Sequence, residues 1–360
     1  MITKIETYTA EIPLTISFPT SYGEHMPTGH VFVEITDSTG AVGYGEGTSL
    51  ALFTGETPVS MKTLIDQQFV DLLIGVEVQE ALPLLRAMVE RVQENPGARA
   101  GVEIALLDLY CKLRKIPFYE LFGFKVRNEV DTIYPVGAIE PTQAAESAAE
   151  GVKKGFKYFK LKAHGQVEED LERIMRVLEI MTPDCKVRVD ANCGWKNYET
   201  ASKVLTRLDK EELIEYVEQP VARENLSDLK KLSQEFNTPI FADESCHTPK
   251  DAMNLLVNEI VDGLCLKMAK AGGPTQIKLM ADMAREFKTD VTMISALGTS
   301  LDERVWVNLA VVTPNLHSAL EIGSWILTTQ PVTPILKQSP KVSVSEDIGL
   351  GITLDKSQLS

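Results

Sequence analysis

Two textures of hydrophobic and polar residues divide this chain. In the first, ITKIETYTAEI (residues 2–12) and HVFVEITD (30–37) carry the two-residue period of half-buried strands, STG at 38–40 signals a turn, and AVGYGEG returns as the second arm of a hairpin. Helical spacing follows over about 57–73, 78–92 and 98–113. The last stretch wraps apolar residues around Glu103 and Asp108. This pattern predicts a small α+β unit. Two loops, 17–29 and 48–58, combine Gly, Pro, Ser and Thr in the manner of segments that close over a ligand. Tyr22, His25 and His30 are the candidate substrate contacts there.

From about Asp131 strands and helices alternate. The strands are DTIYPVGAI, FKYFKLKA, CKVRVDA, LIEYVEQP, PIFADES, VDGLCLKMA, DVTMISA and HSALEIG, and the first seven each lead into a helical pattern. Parallel strands joined through helices form right-handed units, and eight such strands close into a barrel with its active site at their C-terminal ends. The tail beyond about Pro331 predicts no helix and is expected to return to the N-terminal unit.

Charge gives this barrel its chemistry. Successive strands end in Lys160 and Lys162, then Asp190, Glu218, Asp243 and Lys267, at intervals of 28, 28, 25 and 24 residues from Lys162 onward. Three carboxylates on one rim repel each other unless a cation neutralises them, and a purely oxygen donor set favours Mg²⁺, or Mn²⁺, over zinc. Lys162 precedes the acids and Lys267 follows them, so the two flank the metal position on opposite sides. A desolvated ammonium beside a cation and beside Lys160 is expected to fall below its ordinary pKa and to serve as a base. A metal-held substrate carboxylate next to such a base points to removal of its α-proton. A barrel that binds a carboxylate without turnover is the non-catalytic reading of the same residues.

Composition narrows the partners. The 360 residues are 44% hydrophobic and carry a net charge of −15, with no basic run, which argues against nucleic acid or an anionic membrane as a partner. No apolar stretch reaches membrane-spanning length, and the N-terminus alternates where a secretory leader would be apolar, so a cytoplasmic location is expected. The five cysteines are scattered, without paired spacing, and read as free, mostly buried thiols.

The K-x-K of KLKAHG, with DANCGW, EQP, ADES, LKMAKAGGP and a late GLG, resembles the enolase superfamily and, within it, the muconate-lactonizing-enzyme subgroup. The resemblance covers nearly the whole chain. It implies a modified TIM barrel of the (β/α)7β type: a capping domain at 1–127, the barrel at 128–328, and a segment at 329–360 that returns to complete the cap. It also implies that Asp190, Glu218 and Asp243 ligate Mg²⁺, that Lys162 and Lys267 are the acid/base pair assisted by Lys160, and that Asn192 and Glu244 orient the ligands. Assembly as a homo-oligomer through the capping domains is implied as well.

The subgroup includes racemases, dipeptide epimerases, cycloisomerases and dehydratases. Racemisation or epimerisation of an N-acyl amino acid, a dipeptide or a proline betaine is the leading expectation. Muconate-type cycloisomerisation or β-elimination is the alternative. Substrate choice is expected from the two loops and from the ends of strands seven and eight, at Ser295, Glu321 and Trp325. Dipeptide epimerases carry D-x-D at strand eight, where this chain has Glu321-Ile322-Gly323. Glu321 remains a candidate for a cationic amine, and Trp325 for cation–π stacking or for burial against the cap.

Overall fold

The alternating stretches at the N-terminus form an antiparallel meander, β1 (Ile2–Ile12), β2 (Thr28–Asp37) and β3 (Val42–Thr48). The structure, a computed structural model, describes residues 1–15, 19 and 27–359. The β2–β3 turn is fixed by the Asp37 carboxylate, which accepts from the backbone N–H of Thr39 at 2.9 Å and of Ala41 at 3.0 Å. Four helices follow before the long fifth: α1 (Ala51–Thr54), α2 (Pro58–Leu64), α3 (Val70–Leu73), α4 (Val78–Arg91) and α5 (Pro96–Arg114). The helix expected over 57–73 is divided by a π turn at Ile65–Phe69. That wider turn keeps Met61, Ile65, Phe69 and Leu73, spaced by four, together in the buried cluster formed with Val31, Val33 and Ile35 of β2.

Helix α5 lies against β3 almost backbone to backbone. A Cβ on Gly45 would come within 2.0 Å of the Gly101 carbonyl oxygen, so only glycine permits this approach. Asp108 of α5 joins three segments: it accepts from Tyr44 N–H at 3.0 Å and Leu350 N–H at 2.8 Å and pairs with Lys112 at 2.7 Å. The C-terminal tail thus packs on the cap, and Lys356 adds an ion pair to Glu34 at 2.8 Å.

After the short β4 (Glu129–Asp131), seven strands form one parallel sheet: β5 (Ile133–Val136), β6 (Tyr158–Lys162), β7 (Lys186–Asp190), β8 (Ile214–Glu218), β9 (Ile240–Ala242), β10 (Gly263–Leu266) and β11 (Asp290–Met293). Helices α6 (Pro141–Lys153), α7 (Val167–Leu178), α8 (Tyr198–Leu208), α9 (Leu226–Glu235) and α10 (Pro249–Val257) alternate with the first strands. The short α11 (Met268–Ala271) and then α12 (Pro274–Glu286) follow β10, and α13 (Ser300–Val311) follows β11. In the tail, β12 (Val332–Thr333) pairs with β14 (Thr353–Leu354), and β13 (Lys341–Ser343) pairs with β4.

The eighth strand, expected at HSALEIG, is not a regular ladder. It joins the two sheet edges through single parallel bridges, Thr132 to Leu320 and Ile294 to Glu321, which close the barrel. Two features break its regularity. Ser318 has a left-handed φ of 48°, and Arg188, fully buried, draws the carbonyls of His317 and Ala319 inward at 3.2 and 3.0 Å. Below the rim, Tyr216 and Phe241 stack face to face with centroids 4.0 Å apart, in a small cluster with Cys265 and Ile294. No helix among the described residues is long and apolar enough to cross a membrane.

Candidate active site

Register brings the charged strand ends together. Between β6 and β7 Lys162 is opposite Asp190, and between β7 and β8 Asp190 is opposite Glu218. Asp243 follows β9 directly and Lys267 follows β10. The order around the rim is therefore lysine, three acids, lysine. The two-residue period puts Lys160 on the same face as Lys162. Asp190, Glu218 and Asp243 are fully buried and Lys160 nearly so, whereas Lys162 and Lys267 keep 9% and 8% exposure at the mouth.

The ammonium groups hold the acids in place. Lys160 Nζ lies 2.8 Å from Glu218, 3.1 Å from Asp190 and 2.8 Å from Glu321. Lys162 Nζ donates to Asp190 Oδ2 at 2.6 Å, and Lys267 Nζ donates to Asp243 Oδ2. Asn192 takes part through its backbone N–H to Asp190 Oδ1 at 2.9 Å and its amide to Glu244 at 3.2 Å, bridging the loops after β7 and β9.

Burial pushes every carboxyl here toward its neutral form, and the lysines oppose it. For Asp190 and Asp243 the lysines win, holding both carboxyls far below their ordinary range. Glu218 goes the other way, pushed up to about 8 by burial and by the charge of Asp190. The lysines follow the acids. Burial pulls Lys267 and Lys160 down, but Asp243 with Glu218, and Glu218 with Glu321, lift each above the ordinary ammonium value. At ion-pair distance these attractions exceed the desolvation penalty.

As the side chains stand, no three acids, histidines or cysteines among the described residues converge as a cage, because the carboxylate oxygens are turned to ammonium groups. The donor set nevertheless fits a hard dication. Three buried carboxylates stand on adjacent strands, and the raised Glu218 marks a cluster short of positive charge.

Other candidates lie elsewhere. Glu321 pairs with Lys160 and is 15% exposed at its side chain, so its carboxylate is already committed. Ser295 Oγ donates to Asp302 at 2.7 Å and accepts from Gly298 N–H, tying down the loop after β11. Trp325 is half-buried in a 3-10 turn and lines a cleft with Leu327, Ile335 and Leu336, whose lining includes none of the clustered lysines and acids. His30 belongs to β2 rather than to the first loop, buried between Thr28 and Glu46. Tyr22 and His25 lie outside the described residues. His164 bonds Glu169 and His317 bonds Asp290, in structural pairs.

Three further residues shape the site. Lys270 contacts Asp243 from the side opposite Lys267, visible in the sequence only as a lysine inside the apolar run LCLKMAKAGG. Gln219, in the left-handed region at φ 37°, accepts from the backbone N–H groups of Asp243 and Ser245 at 3.0 and 3.1 Å. Phe53 of α1 places its ring 5.3 Å from Lys267 Nζ, bringing the second loop over the rim.

Residues 143–358 match the model described as enolase C-terminal domain-like, which sets the barrel in the enolase class. Residues 2–123 match the mandelate racemase / muconate lactonizing enzyme N-terminal domain, and with both domains matched the chain belongs to the mandelate racemase / muconate lactonizing enzyme family. It is 31% identical to the hydrophobic dipeptide epimerase of Enterococcus faecalis over 98% of this chain and 99% of that protein. Chloromuconate cycloisomerase of Cupriavidus necator is 30% identical over 95% of this chain and 92% of its own. The crystal structure of a dipeptide epimerase from Cytophaga hutchinsonii, complexed with Mg and the dipeptide D-Ala-L-Val, matches with a TM-score of 0.94 at 29% identity, covering 100% of this chain and 98% of that one.

Proposed function

We propose that this protein is an epimerase or racemase of amino-acid derivatives, with dipeptides as the leading substrate class, acting by removal and return of the proton α to a carboxylate. The observation that carries this reading is the pair of mouth lysines, Lys162 and Lys267, on either side of three buried acids. Each bonds one carboxylate oxygen and stays accessible from the mouth. Lys162 serves one face of the substrate carbon and Lys267 the other, so a proton taken by one is replaced from the other. Whichever lysine begins must release both its carboxylate, Asp190 or Asp243, and a proton to solvent before it can take the proton of the substrate. Lys160, with three acid neighbours, stays fixed and holds Glu218.

Asp190, Glu218 and Asp243 would hold Mg²⁺, with Asn192 and Glu244 steadying the ligand loops. The bound ion supplies a Lewis acid for the substrate carboxylate, which lowers the cost of deprotonating the neighbouring carbon. Charge supports this occupancy. Asp190, Glu218, Asp243, Glu244 and Glu321 face Lys160, Lys162, Lys267 and Lys270; with the base lysine neutral, five negative and three positive charges leave −2, which a dication brings to zero. In this reading residues 1–127 and 329–360 enclose the substrate and 128–328 carry the chemistry. Association into a homo-oligomer belongs to the same reading and is measured by light scattering.

The relatives support epimerisation, four of them being named for dipeptides or alanine-containing pairs. A second reading, muconate-type cycloisomerisation, rests on the LKMAKAGGP stretch and on the cycloisomerase relatives. One experiment separates them. With Mg²⁺ in D₂O, dipeptides and N-succinyl amino acids are followed by NMR for loss of the α-proton signal, and cis,cis-muconate by ultraviolet absorbance. Exchange in the first set supports epimerisation. Turnover of muconate alone shifts the assignment to the second reading, and inertness of all three rejects both.

A further inference from the structure

Four lysines surround the acids, and their bonding sorts them into two kinds. Lys162 and Lys267 each reach one carboxylate oxygen and remain slightly exposed. Lys270 is 2% exposed and donates to Asp243 Oδ1, to the Asp243 backbone carbonyl and, at 3.3 Å, to the Cys265 carbonyl. An ammonium has three N–H donors, so these acceptors saturate it. A saturated, buried ammonium has nothing to gain by moving. Lys270 is also anchored by its position three residues after Lys267 in the short α11, which directs both lysines at the two oxygens of one carboxylate.

We propose that Lys270 is a metal-selecting residue: by holding Oδ1 and the backbone carbonyl of Asp243, it leaves that carboxylate one oxygen, Oδ2, for a divalent cation. Oδ2 is the oxygen held by Lys267, which the proposed reaction requires to let go, and is therefore the one that can be given up. The distinction matters because Mg²⁺ is small and takes carboxylates through single oxygens in a strict octahedron, whereas Ca²⁺ accepts both oxygens of one carboxylate and extra carbonyls. Without Lys270, Asp243 would offer both of its carboxylate oxygens, a donor set suited to the larger ion. Lys270 touches neither substrate nor reacting carbon in this role and acts through Asp243. The role rests on the proposed metal site.

The test is calorimetric titration of Mg²⁺ and of Ca²⁺ into the full-length protein, its K270M variant, which keeps the length and loses the charge, and its K270Q variant, which keeps a shorter donor. Circular dichroism verifies the fold, and K270Q carries the test if K270M does not fold. Wild-type protein should prefer Mg²⁺, and the Mg²⁺ to Ca²⁺ affinity ratio should fall by about tenfold or more in K270M, since the donor set then suits the larger ion. An unchanged ratio, whether both affinities hold or fall together, overturns the role of Lys270 while leaving the metal site standing. Failure of the wild-type protein to bind Mg²⁺ would refute both.

Discussion

Glu46 of β3 accepts hydrogen bonds from both the backbone N–H and the hydroxyl of Thr299, at the start of α13 in the other domain. The same carboxylate takes the N–H of Asp302 at 3.2 Å and the ring of His30 at 2.8 Å. The N-terminus of a barrel helix is therefore capped by the capping domain. The loop between β11 and α13, with Ser295 in it, is held from above.

Replacing Glu46 by Ala should orphan these buried donors and cost about 3 kcal/mol or more of stability. Urea denaturation measures the loss. In turnover the effect should fall on KM more than on kcat, because the loop it steadies borders the mouth. Glu46→Gln, which keeps one acceptor oxygen, should recover part of both.

Substituting either mouth lysine by Ala should slow interconversion of the two epimers by roughly a thousandfold or more. Proton exchange should survive on one epimer only, and the two variants should spare opposite epimers. NMR of each epimer in D₂O reads this directly. Loss of exchange on the same epimer in both variants would contradict a two-face mechanism.

A methyl group at Gly45 has no room, being 2.0 Å from the Gly101 carbonyl and 2.6 Å from Ala105 N, both backbone atoms of α5. Gly45→Ala should force helix and sheet apart and destabilise the cap by about 3 kcal/mol. A drop in the denaturation midpoint with the same cost for Gly45→Ser would support the contact. Wild-type stability in Gly45→Ala would show that α5 yields.

Glu103 gives stability a pH dependence. Burial pushes its carboxyl up to about 7 from an ordinary 4.5, against the opposing pull of Thr275 and Arg99. Because the folded protein holds this proton more tightly than the unfolded chain, the group's contribution is complete below pH 4.5 and is lost as pH rises through 7. The loss amounts to roughly 3 kcal/mol. Comparing denaturation at pH 5 and pH 8 for wild type and Glu103→Gln checks it: the variant should lose most of this slope.

The rhythm of strand-end charges was legible because each lies at the point where an apolar run stops, and a parallel barrel turns that position into a shared rim. Lys160, Lys162, Asp190, Glu218, Asp243 and Lys267 all come from such positions. Lys270 and Glu46 escaped for a physical reason. A charge inside a helix or strand pattern reads as a solvated face, and only tertiary packing shows that Lys270 turns back onto Asp243 or that Glu46 crosses to α13. His30 was counted with the first loop although it opens the strand HVFVEITD; only packing shows its ring held between Thr28 and Glu46. The eighth strand was found but not its irregularity, which depends on an arginine 130 residues away from Ser318.

Arg188, bonded to Glu215 at 2.7 Å and lying against Tyr216, together with the stacked Tyr216–Phe241 pair fills the barrel beneath the acids. Among the described residues the floor beneath the acids is filled, and Phe53 borders Lys267 on the opposite, slightly exposed side. Whatever sits deepest must arrive first and leave last. Ion entry before substrate and compulsory order in the kinetics are the outcomes expected of a filled floor.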